Sequence, residues 1–186
     1  MSYQSRLHFL KEQPRAFVCG MIERIDKQWV FFDDENDEAF MLDEIADDSL
    51  EIQLSQRWHK AMWMGDDTVQ VNGGIYMLKE GDSLRVRKTL QHAYELMLEE
   101  LTFQALSQFT HHLNTLNFSL YDCIYCFNSL CFQENSVSKN GVNFLTFDNG
   151  EEICSIHHFF ERNHQTMDRF EFTLNNGKRL MTMSLN

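Results

Sequence analysis

The sequence predicts an α+β fold: a small antiparallel β-barrel of the SH3-like or OB-like kind, then a long helix packed on an antiparallel sheet. Three observations predict it. Short strand-like segments and tight turns run from Ala16 to Lys88, apolar residues recur every three or four positions from Thr89 to Leu116, and the period returns to two from Phe118 onward. With 186 residues, 43% of them apolar, the chain can bury a sizeable core. No Pro-, Gly- or Ser-rich linker separates the parts, so the expected domains, 1–88 and 89–186, adjoin directly.

Residues 2–12 carry Tyr3, Leu7 and Leu10 at helical spacing, and Pro14 stops a short helix there. AFVCGMIERI reads as a strand, Asp26-Lys27 as a turn and QWVFF as the partner strand. AFML, LEIQL, RWHKAMWM, TVQV, IYML and SLRVRK follow, separated by acidic or glycine-containing turns. RWHKAMWM is apolar at both parities, Trp58, Met62 and Met64 against Ala61 and Trp63, which predicts a strand covered on both sides. Six to eight short strands over this stretch predict the barrel.

Leu90, Ala93, Tyr94, Met97, Leu101, Ala105, Phe109, Leu113 and Leu116 form one apolar stripe, predicting a single helix of about seven turns. Beyond it a sheet of four or five strands is expected. Its clearest hairpin is RFEFTLNNGKRLMTMS. A two-residue type I′ turn at Asn176-Gly177 would set Phe172 opposite Met181 and Phe170 opposite Met183. Phe170, Phe172, Leu174, Met181 and Met183 would then share one apolar face. GVNFLTF and EEICSIHHFF, around Asn149-Gly150, predict a second hairpin.

The formal net charge is −12, with 11 basic and 17 acidic residues in 1–90 and 5 and 11 in 91–186. Neither half offers the basic face that phosphate contacts need, so nucleic acid and anionic membrane are not expected partners. No signal-peptide-like or membrane-spanning apolar run occurs, and the chain reads as cytoplasmic. Five cysteines, an odd number, argue against a disulfide framework.

Cys123, Cys126, Cys154 and His157 have the C-x2-C…C-x2-H spacing of a zinc site. Strand parity speaks against it, because residues i and i+3 of a strand point to opposite faces and Ile124 and Tyr125 favour a strand. A hairpin turning at Asn128-Ser129 would instead pair Cys126 with Cys131. Buried free thiols behave as small hydrophobes, so packing is the plain reading, with no metal and no cofactor. FFDDENDEAFMLDEI places Asp33, Glu35, Asp37 and Glu44 on an EF-hand frame, but Glu38 stands where the loop needs glycine, and an acidic loop between strands is expected. His157, His158, Glu161 and His164 are close in sequence and would suit an acid–base enzyme if they converged, though no HExxH, nucleophile elbow or phosphate-binding glycine loop is present. Trp29, Phe31, Phe32, Trp58 and Trp63 concentrate in the expected barrel. Exposed there, within an acidic rim, they would bind a basic peptide.

QWVFFD, YDCIYC, GVNFLTFDN and DRFEFTLNNGKR resemble a family of small uncharacterised bacterial proteins, over most of the chain. That resemblance implies a bacterial cytosolic protein and transfers no catalytic or binding residue. The functional expectation is a non-catalytic interaction or regulatory module, with the zinc protein and the His/Glu enzyme as alternatives.

Overall fold

The computed structural model describes residues 13–36, 38–46, 50–133, 138–163 and 165–185. The helix expected over residues 2–12 lies outside them, as do Asp37 and His164. The chain is mostly β, not α+β. It divides into two compact units: Phe17–Lys88, and a second that joins Thr89–Asn186 to the segment ending at Ala16.

The first unit contains β1 (Phe17–Ile25), β2 (Gln28–Asp33), β3 (Ala39–Met41), the one-turn helix α1 (Leu42–Ile45), β4 (Glu51–Leu54), β5 (Arg57–Gly65), β6 (Thr68–Val71), β7 (Gly74–Met77) and β8 (Ser83–Arg87). Three hairpins use two-residue turns with positive φ at both positions: Asp26-Lys27, Ser55-Gln56 and Asn72-Gly73. Type I′ turns match the right-handed twist of their strands, which is why polar residues accept the left-handed region there. Ile22, Phe31, Leu50, Ile52, Val69 and Leu84 are fully buried and form the core.

The strands run β3-β2-β1-β8-β4-β5-β6-β7. This order has two ends, so the expected SH3-like or OB-like barrel does not close. Local pattern sets strand number and turn spacing, whereas closure needs the two outer strands to pair in a fixed stagger. β5 is also covered on one side only: Ala61 is buried, while Met62 and Met64 are about half exposed.

The second unit contains α2 (His92–Glu100), α3 (Phe103–Thr115), β9 (Cys123–Phe127), β10 (Lys139–Asp148), β11 (Ile153–Arg162), β12 (Thr166–Leu174) and β13 (Arg179–Leu185). The five strands form one antiparallel sheet in the order β13-β12-β11-β10-β9. The expected long helix is broken. Leu101 is extended (ψ 142°), and Thr102 caps α3 by accepting a hydrogen bond from the Ala105 N–H through its hydroxyl. Thr102 offers the backbone a better start than a continuation, and periodicity alone does not register such a cap. Both helices still turn apolar residues inward: Tyr94 and Met97 from α2, Phe109 and Leu113 from α3, against Phe147 and Phe172 of the sheet.

The β12–β13 hairpin turns near the expected place but in a different register. Leu174 and Lys178 close a three-residue loop, with Gly177 at φ 87°. Phe172 therefore faces Leu180, and Met181 and Met183 face Glu171 and Arg169. One extra loop residue flips every side chain of β13 to the other face. Met181 and Met183 lie outside the core, 64% and 52% exposed.

Candidate functional site

The outer face of the five-stranded sheet collects the second unit's exposed apolar residues. Strand registers align Phe127, Phe144, His157, Glu171 and Met181 in one row across all five strands. Beside it run Val142, Phe159, Arg169 and Met183, and then Asn140, Glu161, Met167 and Leu185. The rings form a connected series: Phe132 stacks on Phe127 at 6.0 Å, Phe127 meets Phe144 at 6.3 Å, and Phe144 meets His157 edge-on at 5.2 Å. His157 continues to Phe159 at 6.3 Å, and the Arg169 guanidinium lies 4.1 Å over the Phe159 ring. Arg169 also pairs with Glu171 at 3.2 Å. The row beyond Phe127 turns polar, with Thr146, Ser155, Thr173 and Arg179 beside Tyr125.

The cysteines sit at the other side of β9. Its pairing with β10 shifts register, so that Tyr125 faces Thr146 but Cys123 faces Phe147. This bulge at Ile124 returns Cys123 to the face of Cys126, contrary to strict strand parity, and both thiols pack against the core. Ile124 and Tyr125 are both exposed. The hairpin expected at Asn128-Ser129 is replaced by a 3₁₀ turn over Ser129–Phe132, capped by Asn128. Burial pushes the Cys123 thiol up to about 12, with Cys126 adding to it. Burial likewise raises Cys126 to about 12 and Cys154 to about 11. Nucleophilic attack needs the thiolate, and burial holds these groups as thiols. Among the described residues no group of three or more His, Cys, Asp or Glu is placed to hold a metal ion, Cys123, Cys126, Cys154 and His157 included.

The acidic loop is a β-hairpin connection and not an EF-hand: Asp33 ends β2, and its carboxylate accepts from the Glu35 N–H and the Asn36 side chain. Trp29 and Phe31 are buried and Phe32, Trp58 and Trp63 are partly so, so among the described residues these five do not stand exposed as a basic-peptide groove would need. The Trp29 indole donates to Asp67 at 3.0 Å.

The His/Glu cluster divides by strand alternation. His157 and Glu161 stand on the outer face of β11, while His158 is fully buried beneath it. His158 belongs to a polar chain that crosses the inner face. Asn143 Nδ2 lies 3.2 Å from His158 Nδ1, and His158 Nε2 lies 2.8 Å from Asp168 Oδ1. Ser129 donates through its N–H and hydroxyl to Asn143 Oδ1, and Arg162 donates to Asp168 Oδ1 at 2.6 Å. These partners define one tautomer: Nδ1 accepts and Nε2 donates. The other Asp168 oxygen and the hydroxyl of its cross-strand neighbour Ser184 are buried with no partner among the described residues. Sequence reasoning missed Asn143 and Asp168. The available signal was their parity, since each falls in the inward phase of its strand.

Burial lowers the pKa of His158 against the opposing effect of Asp168, and it lowers that of His112 too. A base whose folded value lies below 6.5 leaves the unfolded chain holding more protons between the two values. Stability is therefore full above about pH 6.5 and falls as pH drops toward the folded value, by up to about 1.4 kcal/mol per pH unit for each such histidine. Urea denaturation at steps from pH 7.5 to 5 is expected to show this loss, and His158→Gln to remove its share. An unchanged slope in that variant would exclude a neutral buried His158.

A cleft of about 600 Å³ near the end of α2 is lined by Leu96, Glu99, Glu100, Asn128, Cys131 and Lys139, among others, with no histidine in its lining.

A model of proteins of unknown function, DUF2777, matches residues 4–184. The chain belongs to the DUF2777 family. It is similar to the uncharacterized protein YisN of Bacillus subtilis (strain 168), 25% identical over 179 residues that cover 96% of this chain and 91% of that one. No solved structure matches. The resemblance read from the sequence thus holds, and this DUF2777 protein's site rests on its own geometry. Among the described residues no helix is long and apolar enough to cross a membrane.

Proposed function

We propose that this DUF2777 protein is a non-catalytic interaction module that docks a protein on the outer face of its five-stranded sheet. The observation that carries this reading is the connected apolar face of Phe132, Phe127, Phe144, Phe159, Met181 and Met183. Exposed apolar patches beyond a few hundred Å² mark interaction sites. Flexible methionines beside rigid aromatics suit a surface that adapts to a partner. The His158–Asp168 pair, which has the look of an acid–base constellation, is sealed from solvent, which supports a binding role over an acid–base one. A basic peptide, expected from the chain's acidity, finds its complement on Phe17–Lys88, which carries 16 acidic and 8 basic residues. The sheet face favours a partner of mixed charge.

A photo-cross-linking residue at Phe144 is expected to yield protein adducts in the producing bacterium, and one at Lys60 to yield none in common with it. Met181→Glu with Met183→Glu should reduce the Phe144 adducts about tenfold or more. Adducts unaffected by that double change would rule out the sheet face.

A further inference from the structure

The outer sheet face has a feature that narrows its partner. The four rows above carry Glu161, Arg169, Glu171 and Arg179, two charges of each sign, and the row beyond them adds Asp148 opposite Ile153, so the face is close to balanced in a chain whose net charge is −12. Arg169 and Glu171 are already matched to each other at 3.2 Å, near the middle of the apolar rows. A strongly basic or acidic partner gains no net attraction here. A surface with the same balance can match it sign for sign without net repulsion, and the face itself is such a surface.

We infer that the occupant is a second copy of this chain, its five-stranded sheet stacked face to face on the first about a two-fold axis. This rests on the docking reading above. In a two-fold contact the same patch serves both partners, so a nearly neutral face with alternating signs can complement itself: Arg169 of one copy meets Glu171 of the other. The area is also sufficient. Tyr125, Phe127, Phe132, Phe144, Ile153, Met181, Met183 and Leu185 are between 41% and 79% exposed. At about 200 Å² for a fully exposed large side chain they present roughly 900 Å², against about 800 Å² per partner in a standard interface. The geometry is that of a β-sandwich, whose sheets pack about 10 Å apart through interdigitated side chains. The second unit by itself is half of such a sandwich, with one face on its own core and the other apolar and uncovered.

The charge balance gives this partner a distinctive salt response. Each copy carries net −12, so long-range repulsion opposes pairing while the contact itself is close to neutral. Salt screens the repulsion and leaves the apolar contact in place, so self-association should tighten as salt rises to about 0.5 M. A basic partner would weaken over the same range.

The test is sedimentation of the full-length chain at high micromolar concentration, in low and high salt. The expected result is a species of twice 22.1 kDa whose dissociation constant falls on adding salt. Met181→Glu with Met183→Glu, both on exposed positions of β13, should weaken pairing by roughly 30-fold or more. Phe144→Ser should do the same through a different strand. Unchanged far-UV circular dichroism and urea midpoints would show that the variants fold. A monomeric wild type at these concentrations would overturn the inference, and so would pairing that survives both variants. If the wild type is monomeric yet Phe144 cross-links in cells to a different protein, the second copy is wrong and the docking face stands. If neither association nor cross-linking occurs, both readings fall.

Discussion

Asp168→Ala is expected to destabilise the second unit by about 3–5 kcal/mol, as removal of one partner from a buried charged network does. Asp168 is 1% exposed. Its Oδ1 accepts from both His158 Nε2 and Arg162 Nη2, at 2.8 and 2.6 Å. Removing it leaves the buried His158 N–H without its acceptor and takes the charged partner from the Arg162 guanidinium, 14% exposed, whose Nη1 keeps the Glu161 and Met167 carbonyls. The attraction lost is the smaller part, because the pair was formed at a desolvation cost. The larger part is the burial of what remains unpaired. Asp168→Asn separates the two. It keeps an acceptor for His158 and Arg162, and its amide can donate to the unpartnered Ser184 hydroxyl beside it. A loss of about 1–2 kcal/mol is expected there, the neutral bonds being weaker than the charged ones. Urea midpoints decide the matter. An alanine variant within about 1 kcal/mol of wild type would mean that the network is open to water.

Gly20→Ala is expected to cost the first unit about 3 kcal/mol or more, through steric overlap alone. Gly20 pairs with Asp33 on one side and Leu84 on the other, in the middle of β1. A Cβ there would collide with the Phe32 carbonyl oxygen and lie 2.7 Å from the Phe31 ring. Neither can retreat. The carbonyl belongs to the backbone of the paired strand β2, and Phe31 is fully buried in the core. Gly74→Ala is the matched control. Its Cβ meets only the Val71 carbonyl oxygen, at 3.6 Å, an ordinary contact. That variant should be neutral or stabilise by up to about 1 kcal/mol through the unfolded chain. Circular dichroism melts of the two variants should differ sharply. Similar melts would mean that β1 and β2 do not approach as closely as described.

Much of the local organisation is legible in the residues. Asp26-Lys27 does turn as a two-residue loop, and GVNFLTF does pair with the strand around Cys154 and Ile156. The candidate site was less legible because it depends on phase. Met181 and Met183 alternate as any half-buried strand does. Which face they occupy hangs on whether the Asn176-Gly177 loop holds two residues or three, and either choice keeps Gly177 at positive φ. The same limit governs YDCIYC, where the bulge at Ile124 overturns the parity argument for Cys123. It does not govern His157 and His158, whose adjacency on one strand places them on opposite faces without further information.

By itself the sequence determined most of the strands, the turn at Asp26-Lys27 and the excess negative charge. These follow from interactions within a few residues, which the local string contains. Only the tertiary structure decided that eight strands stay an open sheet, that Thr102 divides the long stripe into two helices, and that β13 turns its methionines outward. Each is a competition between arrangements with nearly equal local energies, settled by what packs against them. The core was filled by Phe170, Phe172 and Leu174 from β12, which leaves Met181 and Met183 exposed on the outer sheet face.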